Sequence, residues 1–163
     1  MLTTNNQLNF LQEKIKEIGS AIFFNLSDSV LKLPTSIVTT LRVDEFGYVW
    51  FFVQKPKQSL REFETEFPAR LDFFKKGKNC FLQVMGKAWV VTDPEELNTF
   101  MTLPEYMKEA ALNGMVLVKV KMLKAEYHET QTRTHSSWYS AVGTLFTWFR
   151  TGGLKNSTYY SAS

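Results

Sequence analysis

SIVTTLRVDEFGYVWFFVQKPKQSLR, residues 36–61, is the stretch whose reading decides the fold. Asp44, Glu45 and Gly47 stand between two runs rich in Val, Ile, Thr, Phe and Trp. Such side chains suit a pleated, half-buried surface, and glycine reaches the positive φ that a compact hairpin demands. The spacing therefore predicts two antiparallel strands joined by a tight turn. A polar stretch then leads to Ser59, which forms a capping box with Glu62 and opens a two-turn helix carrying Leu60, Phe63 and Phe67. Hairpin, aromatic strand and a helix opening on Ser-x-Arg can hold a flat ligand and its phosphate.

Working outward, Leu8, Leu11, Ile15 and Ile18 recur at helical spacing, with Glu13, Lys14, Lys16 and Glu17 on the other side. They predict an amphipathic helix over residues 5–18, which Gly19 ends. Residues 20–26 read as a short buried strand and 27–34 as a loop. Beyond the hairpin, Pro68 ends the helix expected after Ser59, and residues 70–74 and 80–92 read as strands. Gly86, inside the second of these, marks a bulge or a close backbone approach. Asp93, Pro94, Glu95 and Glu96 form a helix start, and two short helices are expected over residues 95–101 and 104–113. In the last strand, residues 115–129, Val116, Val118 and Val120 alternate with Leu117, Lys119 and Lys121.

Hairpin connections make these strands antiparallel, and the pattern suits a mostly β fold, a small closed barrel with peripheral helices. Residues 1–134 form this barrel with its N-terminal helix. Residues 135–163 are an aromatic helix and tail of the same domain. Trp138, Val142, Leu145, Phe146 and Phe149 share one face of that helix, for docking on the barrel or on a second subunit. A membrane-surface role is disfavoured because the helix carries almost no Lys or Arg beyond Arg150.

Composition narrows the function classes. The 163 residues are 44% hydrophobic and 21% charged, which argues for one folded, soluble domain. The net charge of +3 is spread among interleaved acids, and Lys75, Lys76 and Lys78 around Gly77 read as a solvated turn, so nucleic acid is not an expected partner. Cys80 is the only cysteine, which excludes an intrachain disulfide and a thiolate metal cluster, and its apolar setting suggests a buried inert thiol. No apolar run reaches the ~18–20 residues that span a bilayer. The first ten residues lack the marks of a signal peptide, and the cytoplasm is the expected location. Phosphate-loop, dinucleotide and nucleophile-elbow motifs are all missing. His128 and His135, with no nearby Cys or clear carboxylate partner, read as a strand-end and a loop residue, and no metal site is expected. A lone histidine could also be an axial haem ligand. The acidic pairs Asp44–Glu45 and Glu95–Glu96 are explained by a turn and a helix start, so no catalytic dyad stands out.

Five pieces of the sequence carry a resemblance: VDEFGYVWFFV (43–53), QSLREF (58–63), Phe67-Pro68, CFLQVMGKAWVVTDPEE (80–96) and VKVKMLKAEYHE (118–129). In order and spacing they resemble the pyridoxamine 5′-phosphate oxidase-like FMN-binding split barrels, most nearly the general stress protein branch. Gly86, Lys87 and Ala88 are especially typical. The resemblance implies a six-stranded antiparallel FMN-binding split barrel, and a homodimer with two FMN sites at the subunit interface. The flavin edge would run along Ile37, Val38, Thr39 and Thr40, and its ring system would pack near Trp50, Phe51 and Phe52. The phosphate would fall to Ser59 and Arg61, with Lys55 and Lys57 nearby and backbone N–H groups of the expected helix behind them.

Three positions depart from the family pattern, which usually has cations where this chain has Ser36, Leu41 and Leu60. A Thr that often follows the aromatic pair is replaced by Phe52 or Val53. Local readings also stand: Ser59 as an ordinary N-cap, Arg61 as a solvated residue, Thr39 and Thr40 as strand formers, Trp50 and Phe52 as core. Two functions follow from the resemblance. One is an FMN-dependent oxidoreductase acting on a small molecule. The other is a non-catalytic, stress-linked binding module that has lost tight flavin binding. A haem- or deazaflavin-binding barrel is a third possibility with less support. Residues that define the true oxidases have no clear match in the C-terminal third, so that reaction is not expected.

Overall fold

Along the first strand every second side chain is buried (Ala21, Phe23, Asn25), on the inward face of a wall that five more strands close into a barrel. The computed structural model describes residues 2–93, 95, 96, 105, 109, 114–129 and 144–147. Helix α1 (Leu2–Ile18) is followed by β1 (Ser20–Asn25), β2 (Ser36–Val43) and β3 (Tyr48–Gln54). A single 3-10 turn (Leu60–Glu62) precedes β4 (Glu66–Phe74), β5 (Cys80–Val91), β6 (Met115–Glu129) and β7 (Thr144–Thr147). The strand order is β3-β2-β1-β4-β5-β6, and β3 pairs with β6 to complete a six-stranded antiparallel barrel. Phe23, Phe51, Phe73, Leu71, Leu82, Val84, Val118 and Met122 fill its interior.

β6 is long because it serves two neighbours along one edge. Residues from Met115 to Lys121 pair with β3, and those from Lys124 to Tyr127 pair with β7. This overturns part of the C-terminal helix expected over residues 138–149: Leu145 and Phe146 lie on a strand. The edge of β6 beyond β3 presents unpaired N–H and C=O groups, and β7 satisfies them. The remainder of that expected helix lies outside the described residues, as does His135. Glu95, Glu96, Glu105 and Glu109 are helical, and the rest of the two expected short helices also falls outside.

The helix expected after Ser59 is a second correction. Only Leu60–Glu62 turn, and Phe67 and Pro68 already belong to β4. Phe67, Ala69, Leu71 and Phe73 are buried at a period of two, so packing into the barrel overrides the helical pattern. Pro68 lies near the start of β4, one residue beyond the stretch paired with β1, where proline is tolerated. Cys80 is half-buried rather than buried, because it is the first residue of β5 at the barrel's end.

α1 lies across that end of the barrel. Leu8, Leu11, Ile15 and Ile18 are all buried, as their spacing predicts. The Gln12 side-chain amide donates to the Asp44 carbonyl at 3.1 Å, and Glu17 accepts from Lys78 at 2.8 Å. Two hairpin turns thus clasp the helix from either side. The Lys78 hydrogen bond, with Lys14 adding its charge, holds the Glu17 carboxyl below its ordinary value. Its stabilisation is complete above the ordinary carboxylate range and is lost as pH falls through the lowered value. Glu17→Gln should therefore flatten the acid limb of stability against pH, read by urea melts between about pH 6 and pH 3. An unchanged acid limb would mean that the clasp does not titrate.

The central hairpin is organised by one carboxylate. Asp44 Oδ1 accepts from the backbone N–H groups of Phe46 and Tyr48, and Oδ2 accepts from Trp50 Nε1, each at 2.9 Å. Gly47 takes the positive φ, 83°, that the turn requires. Gly86 answers both readings of its position. The β5–β6 register shifts between Met85 and Gly86, and the Lys121 carbonyl passes where a Cβ would stand.

Candidate functional site

Beyond the end of β3 the chain crosses the barrel rim and forms a groove of about 480 Å³ lined by Lys55, Ser59, Leu60, Arg61, Thr65 and Thr92. Three elements build it. Lys55 follows β3, its N–H donating to the Gly114 carbonyl at 2.7 Å. Ser59 to Arg61 come from the 3-10 turn, and Thr65 is tied to β5 by the Val90 N–H at 3.0 Å. Thr92 leaves the end of β5.

Among the described residues no carboxylate lines the groove, and Lys55 and Arg61 have no ion-pair partner. Ser59 Oγ accepts a long, 3.4 Å hydrogen bond from the Arg61 N–H, which leaves its own O–H available to another acceptor. Two cations and three hydroxyl side chains suit an anionic group such as a phosphate dianion. The donors are side chains, because a three-residue turn lacks the aligned peptide dipoles of the helix expected there. Leu60, which departs from a cationic pattern, packs partly buried against the barrel core and anchors the turn.

The eight expected cofactor residues fall into separate places. Ser59 and Arg61 meet in the groove together with Lys55, whereas Lys57 is not part of its lining. Ile37, 79% exposed, and Thr39 share the outer face of β2. Val38 and Phe51 point into the core, where their side chains are sealed from any ligand. Thr40 is half-buried beside α1, and its hydroxyl oxygen is buried without a hydrogen-bond partner. Phe52 lies on the outer face of β3 beside Trp50, Val91 and Leu117. The register Phe52↔Leu117 and Leu117↔Val91 sets this apolar cluster next to the point where Thr92 enters the groove. Thr65 and Thr92 carry no motif, so spacing alone does not reveal them.

Trp50 is fixed by Asp44 and flanked by cations, with the Lys119 ammonium 5.3 Å and the Arg42 guanidinium 5.9 Å from its ring centroid. His128 has a carboxylate neighbour after all: Glu126, two residues earlier on the same strand face, at 2.7 Å. Among the described residues there is no group of three His, Cys, Asp or Glu side chains able to hold a metal ion. Nor is any helix there long and apolar enough to cross a membrane.

The sequence model of the family described as pyridoxamine 5′-phosphate oxidase like matches residues 6–147. The chain belongs to this family. Its barrel is also that of solved structures at low identity. One is a candidate general stress protein 26 from Jannaschia sp. CCS1, with 13% identity, a TM-score of 0.61, and coverage of 88% of this chain and 99% of that one. Another is a protein related to general stress protein 26 from Clostridium acetobutylicum, with 10% identity, a TM-score of 0.58, and coverage of 88% and 95%. The general stress FMN/FAD binding protein of Xanthomonas citri shares 19% identity at a TM-score of 0.57, with coverage of 83% and 99%. At such identities the likeness shows the fold alone. No curated protein matches the chain. The match to the pyridoxamine 5′-phosphate oxidase-like family takes in β1 to β7, the groove and most of α1.

Proposed function

We propose that this chain binds flavin mononucleotide, with the phosphate held by Lys55, Ser59 and Arg61, and serves as a flavin-dependent oxidoreductase for a small molecule. The observation that carries the reading is the meeting of those three side chains in one groove, with no carboxylate among its described residues, at the edge of an outer apolar cluster. Family membership supports it, as does the likeness of the barrel to the general stress FMN/FAD binding protein of Xanthomonas citri. Lys55 and Arg61 neutralise the phosphate and Ser59 donates to it, while Phe52 offers a flat apolar wall to the ring system. When bound, the flavin itself supplies the redox chemistry. A second copy of the chain is part of this reading, as the family resemblance implies, and Ile37, 79% exposed on β2, is available to it. A single cysteine, unable to form an intrachain disulfide, agrees with a reducing, cytoplasmic setting.

One feature favours the alternative of a binding module without turnover. Ser36, Leu41 and Leu60 stand where the family pattern usually has cations, which weakens the hold on a phosphate. Purified protein should be yellow, absorbing near about 450 nm, or should take up added FMN with a saturable change in flavin fluorescence. A colourless protein that leaves flavin fluorescence untouched would end the oxidoreductase reading in favour of the module that has lost tight flavin binding.

A further inference from the structure

The loop between β1 and β2, residues 26–35, lies against the segment that follows the phosphate turn: Leu31, Lys32 and Leu33 share a crevice with Phe63 and Glu64. Leu33 is buried and Leu31 packs against the barrel core, so the loop is firmly seated. At its start stands Ser27, which with Asn25 is one of two buried polar residues among those described. Burying such groups is costly unless their donors and acceptors are used. Here they are used. The Ser27 N–H donates to Asn25 Oδ1 at 2.9 Å, its carbonyl accepts from Lys32 Nζ at 2.9 Å, and its Oγ accepts from the Ser29 N–H at 3.0 Å. The hydroxyl proton remains, and it goes to Glu64 Oε2.

Glu64 is an exposed residue, and among the described residues no other hydrogen bond or ion pair holds its side chain. Glu62, Glu64 and Glu66 all follow Arg61 closely, yet none of them lines the phosphate groove. Glu66 is held by Lys87 and Trp89. Glu64 is held by Ser27 alone. Three residues of chain put its Cα no more than about 11 Å from that of Arg61, a span that a glutamate and an arginine side chain bridge together. Released from Ser27, the carboxylate can therefore reach the guanidinium and compete with a phosphate for it.

We infer that Ser27 is a positioning residue for the phosphate groove: it parks the Glu64 carboxylate on the β1–β2 loop and so keeps Arg61 free for the ligand. The inference rests on the flavin reading, through the phosphate that Arg61 is proposed to hold.

Fluorescence titrations with FMN and riboflavin, on chains of native-like spectrum, test it. Ser27→Ala should weaken FMN about threefold and leave riboflavin unchanged, because only the phosphate meets the competing carboxylate. Glu64→Ala breaks the same contact but removes the carboxylate, and should bind FMN at least as well as the parent. Combining the two substitutions should restore the parent affinity. A contact that merely supports the turn would make Glu64→Ala as harmful as Ser27→Ala and allow no rescue, and either result overturns the inference. So does an unchanged FMN affinity in Ser27→Ala. If Ser27→Ala does not fold, Ser27→Cys, with a weak donor in place of the hydroxyl, serves instead. A parent chain that binds neither flavin overturns the flavin reading and this inference with it; a parent that binds FMN, with variants that behave alike, overturns the inference only.

Discussion

Gly86→Ala is expected to destabilise the fold by at least about 3 kcal/mol, a large part of the 5–15 kcal/mol that holds a typical domain together. A Cβ at this position would overlap the carbonyl oxygen of Lys121, and would stand 2.9 Å from its carbonyl carbon and 3.2 Å from Val120 Cγ1. Flexible side chains can move aside; this obstacle is main chain. Lys121 is paired with Lys87 of β5 on one side and with Tyr48 of β3 on the other, so β6 cannot retreat without opening the barrel. The φ of Gly86 is not in the left-handed region, and the penalty is one of space alone. Urea unfolding followed by tryptophan fluorescence would read it as a lower midpoint. Wild-type stability in the alanine variant would mean that β5 and β6 do not approach as described.

Arg61→Ala is the second large effect, on affinity rather than stability. Arg61 is exposed, so its loss should leave the fold intact. A charge-assisted hydrogen bond to phosphate contributes about 1.5–3 kcal/mol, and FMN should bind roughly 10- to 100-fold more weakly. Riboflavin lacks the phosphate and should bind the variant as it binds the parent. Parallel fluorescence titrations with the two flavins isolate the phosphate contribution. An equal loss for both would move Arg61 away from the phosphate and into the support of the turn.

These two residues also show what kind of information the sequence carries. Gly86 was legible because a glycine inside a strand of apolar residues is costly unless another backbone needs the space. Leu8, Leu11, Ile15 and Ile18 were legible for a similar reason, since a stripe at helical spacing has one way to bury itself. The segment after Ser59 misled because Leu60, Phe63 and Phe67 also sit at helical spacing. The decision came from β1 and β5, which offer Phe67 a strand on each side, and pairing partners distant in sequence leave no local trace. Thr144–Thr147 was misread for the same cause: the unpaired edge of β6 that recruits it is created by where β3 ends.

The candidate site divides along that line as well. Ser59 and Arg61 are two residues apart and were legible as a pair. Lys55 is brought to them by a local loop. Thr92 reaches the groove only because β5 runs beside β6, and β6 beside β3, which no local spacing encodes. Val38 and Phe51 were expected at the flavin together with their strand neighbours. Strand alternation sends them into the core, while Ile37, Thr39 and Phe52 take the outer face.

Closure of the barrel through Tyr48↔Lys121 and Gln54↔Met115 joins an early strand to the last strand of the ring, and this sets a schedule for biosynthesis. When the hairpin of β2 and β3 first leaves a ribosome, the edge of β3 that β6 will cover has no partner, and Val49, Phe51 and Val53 have no core to enter. They wait through the making of β4, β5 and everything up to residue 121. Pairings between such distant segments form slowly, and exposed apolar edges invite association with other chains. The interval before β6 emerges is therefore when the nascent chain is most open to association, and a chain cut short before residue 115 should be found in inclusion bodies rather than in solution.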